Sequence, residues 1–339
     1  MSDILAAAAA KASHGKSASS NGKPRRKRKP KPASDGRSVT RPEAQTDVAN
    51  AQKFIELHGD NVRFCYPFKK WIVFDGKRWR NDNTGEIWRL AKTVADPYWQ
   101  EARSTGDAAA LRAAAKCASN HGINAFLKLA QSEVPILPAD MDTNNWLLNC
   151  MNGTLDLRTG KLGEHCREDF ITKLCPVEYN PDAVTFVWDI FLARTFDNRQ
   201  SLIDYMQLVV GYFLTGMVSE QILLILWGIG ANGKSTMLNA ILDMLGPDYS
   251  MQAIPDLLMS KQNDRHPTER ADLHGKRFVS CVETEDNRAL AESLVKQLTG
   301  GERVRARRMK EDFWEFSPTH KIVLTTNHKP RIKGVDHAI

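Results

Sequence analysis

The residues with the clearest chemical meaning form a glycine-rich segment near the middle of the chain. It consists, in order, of Gly228, Ile229, Gly230, Ala231, Asn232, Gly233, Lys234, Ser235 and Thr236. This is the Gly-x-x-x-x-Gly-Lys-Ser pattern of a phosphate-binding loop between a strand and a helix. Glycines let backbone N–H groups close around phosphates, and a helix start adds unpaired donors and a positive dipole end. These nine residues are therefore predicted to bind ATP.

Two side chains of this segment have individual predicted roles. Lys234 is expected to reach the β- and γ-phosphates, and the Ser235 hydroxyl to ligate Mg²⁺. The alternative is a chance Gly-Lys-Ser in a surface loop. An apolar run at 222–227 precedes the segment, and apolar residues recur at helical spacing after it. That flanking pattern favours the phosphate-binding interpretation.

A pair of carboxylates follows a second apolar run. Glu283 and Glu285 come directly after residues 278–282, and in an extended chain both would face the same side. A nucleotide hydrolase needs an acid here to hold the Mg²⁺ shell or to polarise the attacking water. Glu283 is the first choice as catalytic residue and as metal ligand with Ser235, but spacing does not decide which glutamate activates water. A solvated acidic loop is the alternative.

Two more features follow along the chain. Residues 303–310 hold five arginines and lysines and precede alternating aromatics, which predicts a basic hairpin able to track a nucleic-acid backbone. Asn327 ends a third apolar run, where an amide can orient water at the γ-phosphate and so act in catalysis. A solvated charged face is the alternative for the basic run.

The elements that must position these residues can be predicted in outline. The apolar runs at 222–227, 278–282 and 321–326 fit strands buried on both faces, preceded by helices at 186–194 and 201–215. Asn180-Pro181-Asp182 marks a domain boundary. Residues 46–180 predict a smaller α+β domain, with a helix at 47–58, a type I′ hairpin at Asp75-Gly76, and one helix at 87–103. The aromatic residues of this domain could stack on bases, but a small core is favoured for Trp71, Phe74, Trp79 and Trp88.

Charge separates the first residues from the rest. Ten lysines and arginines against two aspartates give residues 1–40 a charge of +8, while the whole chain of 339 residues carries +7. The remaining residues therefore sum to −1. Residues 1–45 predict a disordered basic tail, interpreted as a nucleic-acid-binding arm, a nuclear-localisation signal or a merely solvated segment. Six scattered cysteines without Cys-x-x-Cys argue against a zinc ribbon and favour reduced thiols. No apolar run is long enough to span a membrane.

Taken together, these motifs resemble the superfamily 3 helicases, and more narrowly the phage/plasmid primase–helicase family. The resemblance rests on the glycine-rich segment, His266-Pro-Thr-Glu269, the acidic pair, and Thr326-Asn-His-Lys-Pro-Arg331. Segments upstream also resemble the poxvirus-type domain that precedes the helicase. The resemblance implies an AAA+-like P-loop NTPase core at 181–339 with a mainly parallel sheet. It implies Arg308 and Lys310 as DNA contacts, a homo-hexameric ring, and movement on single-stranded or forked DNA.

The resulting hypothesis is an ATP-dependent DNA helicase subunit for phage, prophage or plasmid replication, working with ATP and Mg²⁺ in the cytoplasm of a bacterial host. A primase or replication-initiation protein is a possible partner, and no membrane is expected to be one. Two alternatives stay open: an NTPase that packages or remodels nucleic acid without unwinding, and an ATP-regulated origin-binding or scaffold protein. Members of the resembling family continue into an arginine-rich segment, so we expect the chain ending at Ile339 to hydrolyse ATP slowly. No primase domain is recognised.

Overall fold

The first helix begins where the Thr46 side chain accepts a hydrogen bond from the Ala49 backbone N–H at 3.1 Å. A computed structural model describes residues 46–255, 257–260, 268–282, 289–307 and 313–332. Helix α1 spans Asp47–His58, as predicted, and buries Phe54. Side-chain capping of this kind satisfies one of the orphan donors of a helix start.

A three-stranded antiparallel sheet follows. It contains β1 (Val62–Cys65), β2 (Lys70–Phe74) and β3 (Trp79–Asn81) in that order. The predicted hairpin is present, but the type I′ turn is wrong, because it needs positive φ at both central residues and only Gly76 has it, at 93°. The Asp75 carboxylate accepts hydrogen bonds from the Lys77 and Arg78 backbone N–H groups at 3.0 and 2.9 Å. An Asp side chain that binds its own loop in this way stabilises the turn.

Four helices pack with α1 against this sheet. They are α2 (Glu86–Thr93), α3 (Asp96–Thr105), α4 (Ala108–Cys117) and α5 (Asn120–Ala130). The single helix expected at 87–103 is two helices, and Pro97 lies in the first turn of the second. Proline lacks a backbone N–H and suits a helix start, so it marks the break. Phe54, Ile87 and Phe126 are buried together in the shared core.

A second small sheet and a helix pair lead to the central sheet. The sheet contains β4 (Leu147–Cys150), β5 (Gly153–Asp156) and β6 (Lys161–Gly163), all antiparallel. The helices are α6 (Phe186–Thr195) and α7 (Gln200–Leu214), which confirms the two predicted from the sequence. Of these two, only α7 has fully buried side chains: Met206, Val209 and Phe213.

The remaining elements build a four-stranded parallel sheet and its surroundings. In chain order they are β7 (Leu223–Trp227), α8 (Lys234–Tyr249), β8 (Ser250–Gln252), α9 (Thr268–Ala271), β9 (Phe278–Val282), α10 (Glu292–Thr299), β10 (Val304–Ala306), β11 (Trp314–Phe316) and β12 (Lys321–Thr326). The parallel order is β7-β12-β9-β8. All three predicted strands are present in one parallel sheet, and every residue of β12 is buried. The expected burial on both faces is wrong for β7, which is an edge strand and exposes Ile225 and Trp227.

Several predictions concern residues outside the described ranges. These are the disordered tail at 1–45, the acids Glu283 and Glu285, and the DNA contacts Arg308 and Lys310. The domain boundary near residue 180 also stays a prediction. None of the helices within the described ranges is long and apolar enough to cross a membrane.

Candidate functional site

The glycine-rich segment forms a turn between the end of β7 and the start of α8. Gly233 is the residue before the helix and has a φ of 82°, and Ala231 also lies in the left-handed region at 61°. Such angles suit glycine and turn the chain tightly. The segment therefore has the strand–turn–helix arrangement that its sequence predicts, and Lys234 is the first helical residue.

Lys234 folds back over the turn. Its Nζ donates hydrogen bonds to the Gly228 carbonyl at 2.5 Å and to the Asn232 Oδ1 at 3.0 Å. Asn232 in turn fills the space beside Gly228, because a Cβ on Gly228 would lie 2.5 Å from the Asn232 Nδ2. The ammonium is thus held directly above the turn by two oxygen atoms. Phosphate oxygens are acceptors of the same kind and carry more charge, so they can replace these two partners.

Strand β12 lies between β7 and β9, so the carboxyl ends of these three parallel strands lie side by side. Thr326 pairs with Trp227 of β7, and Thr325 pairs with Val282 of β9. The Gly228 backbone N–H also donates to the Thr326 carbonyl at 3.3 Å. Asn327 therefore follows directly beside the turn and is exposed. Glu283 and Glu285 lie outside the described residues, but the strand that precedes them ends next to β12.

The donor set fits magnesium bound together with a nucleotide. Among the described residues, no cluster of three His, Cys, Asp or Glu side chains could hold a metal ion. Mg²⁺ usually takes one or two protein oxygens and completes its shell with water and phosphate. The exposed Ser235 hydroxyl in the first turn of α8 is one such oxygen. A site of that kind needs no dedicated protein cage.

Helix α6 supports the turn from behind, which the sequence did not predict. A Cβ on Gly233 would lie 2.7 Å from the Thr195 Oγ1 and 3.2 Å from the Phe191 ring. A glycine is therefore needed at position 233 for two reasons: its backbone has a positive φ, and α6 leaves no room for a Cβ. Spacing along the chain carries no signal for this contact, because Thr195 precedes Gly233 by almost 40 residues.

The basic segment lies on a separate two-stranded antiparallel ribbon. Strand β10 pairs with β11, and Ala306 faces Trp314. The guanidinium groups of Arg305 and Arg307 lie over the Phe313 ring, 4.6 and 5.3 Å from its centroid. Phe313 is half exposed. The two strands of the predicted hairpin are thus present, and they carry two arginines stacked on one aromatic ring. Arg308 and Lys310 lie between the two strands, outside the described residues.

Buried cations anchor the opposite edge of the parallel sheet. Arg277 donates to the carbonyls of Leu214 and Leu147 at 2.5 and 2.7 Å, and the Lys321 Nζ donates to the Thr215 carbonyl. Burial, with a smaller effect of the Arg277 charge, lowers the pKa of Lys321 to about 6. Burial, with the Lys321 charge next, lowers the pKa of His320 to about 4. The Arg277 cation at the carbonyl of Leu214, the last residue of α7, also complements the dipole of that helix.

Two segments of the chain match known protein families. Residues 51–197 match the family described as D5 N terminal like, and residues 226–338 match a family of unknown function, DUF5906. The chain is 29% identical over 202 residues to "Putative helicase L207/L206" of Acanthamoeba polyphaga mimivirus and 27% identical over 207 residues to "Putative primase C962R" of African swine fever virus. Each match covers 58% of this chain and 21% of the relative. The chain thus spans about a fifth of the length of these relatives.

A solved structure is also similar. The apo structure of the NrS-1 C-terminal region matches with 13% identity and a TM-score of 0.42, covering 80% of this chain and 54% of the other. From the sequence matches, residues 51–197 are similar to the D5 N-terminal-like family, and the chain is similar to viral proteins named for helicase and primase functions.

Proposed function

We propose that this chain is a subunit of an ATP-dependent DNA helicase that serves replication of viral or plasmid DNA. The observation that carries the proposal is the turn at 228–233, where Lys234 lies over the loop and Asn327 follows the adjacent strand. The relatives named for helicase and primase functions support a role in replication. In a phage or plasmid, the protein would work in the cytoplasm of its bacterial host.

In the proposed site the turn binds ATP. Residues 228–236 surround the phosphates with backbone N–H groups, and Lys234 moves from its two loop oxygens to the β- and γ-phosphates. Ser235 and Glu283 would hold Mg²⁺, and the ion would supply positive charge beside the transferring phosphoryl group. Asn327 orients the attacking water, and Glu283 or Glu285 accepts its proton. Most of the catalysis is positioning and electrostatic stabilisation of the transition state.

The proposed DNA contact is the ribbon β10–β11 with its connecting segment. Arg308 and Lys310 would contact backbone phosphates of single-stranded or forked DNA, beside the cations already stacked on Phe313. Six copies in a ring would place several such ribbons around one strand. A primase or a replication-initiation protein is the expected partner, because the viral relatives are named for helicase and primase functions.

The first test concerns Lys234. Lys234→Ala should lower DNA-stimulated ATP hydrolysis by about 100-fold or more, because a charge that stabilises the transition state is lost. Lys161→Ala, an exposed lysine on β6, serves as the control for a lost surface charge. Wild-type turnover in Lys234→Ala would contradict the assignment of the turn.

The second test separates unwinding from other uses of ATP. Strand displacement is measured on forked DNA with wild-type protein and ATP. ATP hydrolysis stimulated by DNA without displacement would favour a packaging or remodelling NTPase. Assembly that depends on ATP, without turnover, would favour an origin-binding or scaffold protein.

A further inference from the structure

A cleft in the amino-terminal part of the chain lies apart from the elements of the proposed ATP site. It has a volume of about 600 Å³ and opens between the start of β2, the loop before α2, and the second half of α5. Its floor is apolar, because Ile87 and Leu127 are buried. The residues around it are Lys69, Lys70, Trp71, Asp82, Asn83, Gly85, Ile87, Trp88, Asn124, Leu127, Lys128 and Gln131.

The charge of this cleft is positive. Lys69, Lys70 and Lys128 are all exposed, and none of their three ammonium groups has an ion pair or hydrogen bond within the described part of the chain. The one carboxylate, Asp82, accepts hydrogen bonds from the backbone N–H groups of Thr84, Glu86 and Ile87. Burial alone would raise the pKa of Asp82, but these N–H groups lower it below its usual value. The Asp82 charge is therefore stabilised by the backbone N–H groups at the start of α2. The three ammonium groups can then bind an anionic ligand.

Aromatic rings line the same cleft. Trp88 is 37% exposed, and Trp71 is half-buried, whereas Trp79 of the next strand is completely buried. Burial of Trp79 agrees with a core role, but the position of Trp71 and Trp88 on the cleft gives these two rings an accessible surface. Every nucleic-acid base has a π face that stacks on such rings, independently of sequence.

We infer that this cleft binds single-stranded DNA, with the three lysines on the phosphates and the two tryptophans against the bases. Asn83 and Gln131 in the cleft lining add amide donors and acceptors for base edges. The Asn124 amide adds only its oxygen, because its nitrogen donates to Asn120. Bases paired in a duplex are not open to stacking, so the tryptophans favour a single strand. The site belongs to the D5 N-terminal-like domain rather than to the ribbon β10–β11. This DNA-binding site goes beyond the proposed function, because DNA binding in the cleft does not depend on ATP.

The test uses the full chain without nucleotide and a fluorescent oligothymidylate of about 20 nucleotides. The triple variant Lys69→Gln, Lys70→Gln, Lys128→Gln should bind more weakly and show a shallower dependence of log Kd on log salt. Each lost phosphate contact changes that slope by about 0.7 for a single strand, so three contacts change it by about 2. The matched control replaces Lys92, Lys116 and Lys161, three exposed lysines outside the cleft, by glutamine. An equal change of slope in both triple variants would overturn the proposal.

A second variant tests the stacking. Trp88→Leu should weaken oligothymidylate binding by a factor of about 5 to 150 while leaving the salt slope unchanged, because a base stack is lost but no charge is. Leu111→Ala, at an exposed apolar residue of α4, is its control. Oligonucleotides carrying 5-iodouracil should cross-link to peptides that contain Trp71 or Trp88. Cross-links confined to other segments would overturn the proposal, as would equal competition by polyglutamate or tighter binding of oligouridylate. Failure of the ATPase assignment would leave these measurements unchanged.

Discussion

Gly233 and Gly230 belong to the same turn but differ in what a side chain would meet. Gly233 has a positive φ and faces Thr195 and Phe191 at short distance, whereas a Cβ on Gly230 would meet no atom within 4 Å. The motif requires glycine at position 233 and leaves position 230 open. The structure shows that only one of them is constrained both by its backbone angle and by a neighbouring helix.

This difference gives a prediction about stability. Gly233→Ala should lower the free energy of unfolding by at least about 1–2 kcal/mol, because a left-handed backbone costs a non-glycine residue that much. The contact of the new Cβ with α6 adds to this cost. Gly230→Ala should leave it unchanged within about 0.5 kcal/mol. Urea unfolding of both variants measures the effect. Equal destabilisation by the two alanines would contradict the role assigned to α6.

Asn327 supports a second prediction at this scale. Its side chain is exposed beside the turn, and its predicted role concerns the attacking water rather than the nucleotide. Asn327→Ala should therefore reduce ATP turnover while leaving the affinity for a labelled ATP analogue close to wild type. An equal loss of affinity and turnover would instead indicate that Asn327 binds the phosphates.

At the scale of elements, the parallel sheet is anchored where β9 and β12 begin. Arg277 precedes β9 and donates to the Leu214 carbonyl at the end of α7, and Lys321 begins β12 and donates to the carbonyl of Thr215, the residue after α7. Both side chains are less than 10% exposed. The carboxyl ends of the same two strands lead into Glu283 and Asn327. The chain runs from the end of α7 through β7 to the turn. The strands β7, β9 and β12 are therefore all connected to this end of α7.

The buried edge also makes stability depend on pH. The pKa of His320 is about 4 in the folded chain because of burial and the nearby Lys321, against 6.5 for an exposed histidine. The unfolded state then binds the extra proton between these values, so the contribution of His320 to stability is full above pH 6.5 and falls as pH decreases toward 4. His320→Phe should flatten this part of the curve of unfolding free energy against pH. An unchanged slope in the variant would show that His320 is not the titrating group.

How much of this arrangement could be predicted from the sequence depends on the range of the interactions. The strands at 223–227, 278–282 and 321–326 were predictable because unbroken apolar runs indicate strands buried on both faces. Their order was not, since β12 pairs between two strands that precede it by 40 to 100 residues. The helix break before Pro97 was missed because helical periodicity outweighed a proline that suits a helix start as well as a helix end.

For the candidate site, the residues of the turn were predictable and their surroundings were not. The motif names Lys234, but Asn232 as its partner and Thr195 as a neighbour of Gly233 depend on the folded chain. Trp71, Trp79 and Trp88 were equivalent in the sequence, and the favoured interpretation placed all of them in a core. The structure separates them, because Trp79 is buried while Trp88 is exposed on a lysine-rich cleft.

At the scale of the whole molecule, positive charge is concentrated at the amino terminus. Residues 1–40 carry a charge of +8 and the rest of the chain −1. Positive charge in the remainder is therefore local, on the cleft lysines and on the ribbon, and is balanced elsewhere by acidic residues. Long-range attraction of DNA to the molecule should depend mainly on the amino-terminal segment.

This distribution leads to the last prediction. Seven positive charges fall within Lys23–Lys31, and each contact of such a charge with a duplex phosphate contributes about −0.9 to the slope of log K against log salt. If four of them make contacts, deletion of residues 1–40 should flatten the slope for duplex DNA by about 3.6. The deletion should leave basal ATP hydrolysis unchanged, because it removes none of the described residues around the turn at 228–233. A variant in which residues 23–31 keep their length but have glutamine in place of every lysine and arginine separates charge from chain length. An unchanged slope in both variants would mean that the amino-terminal segment is solvated and does not contact DNA.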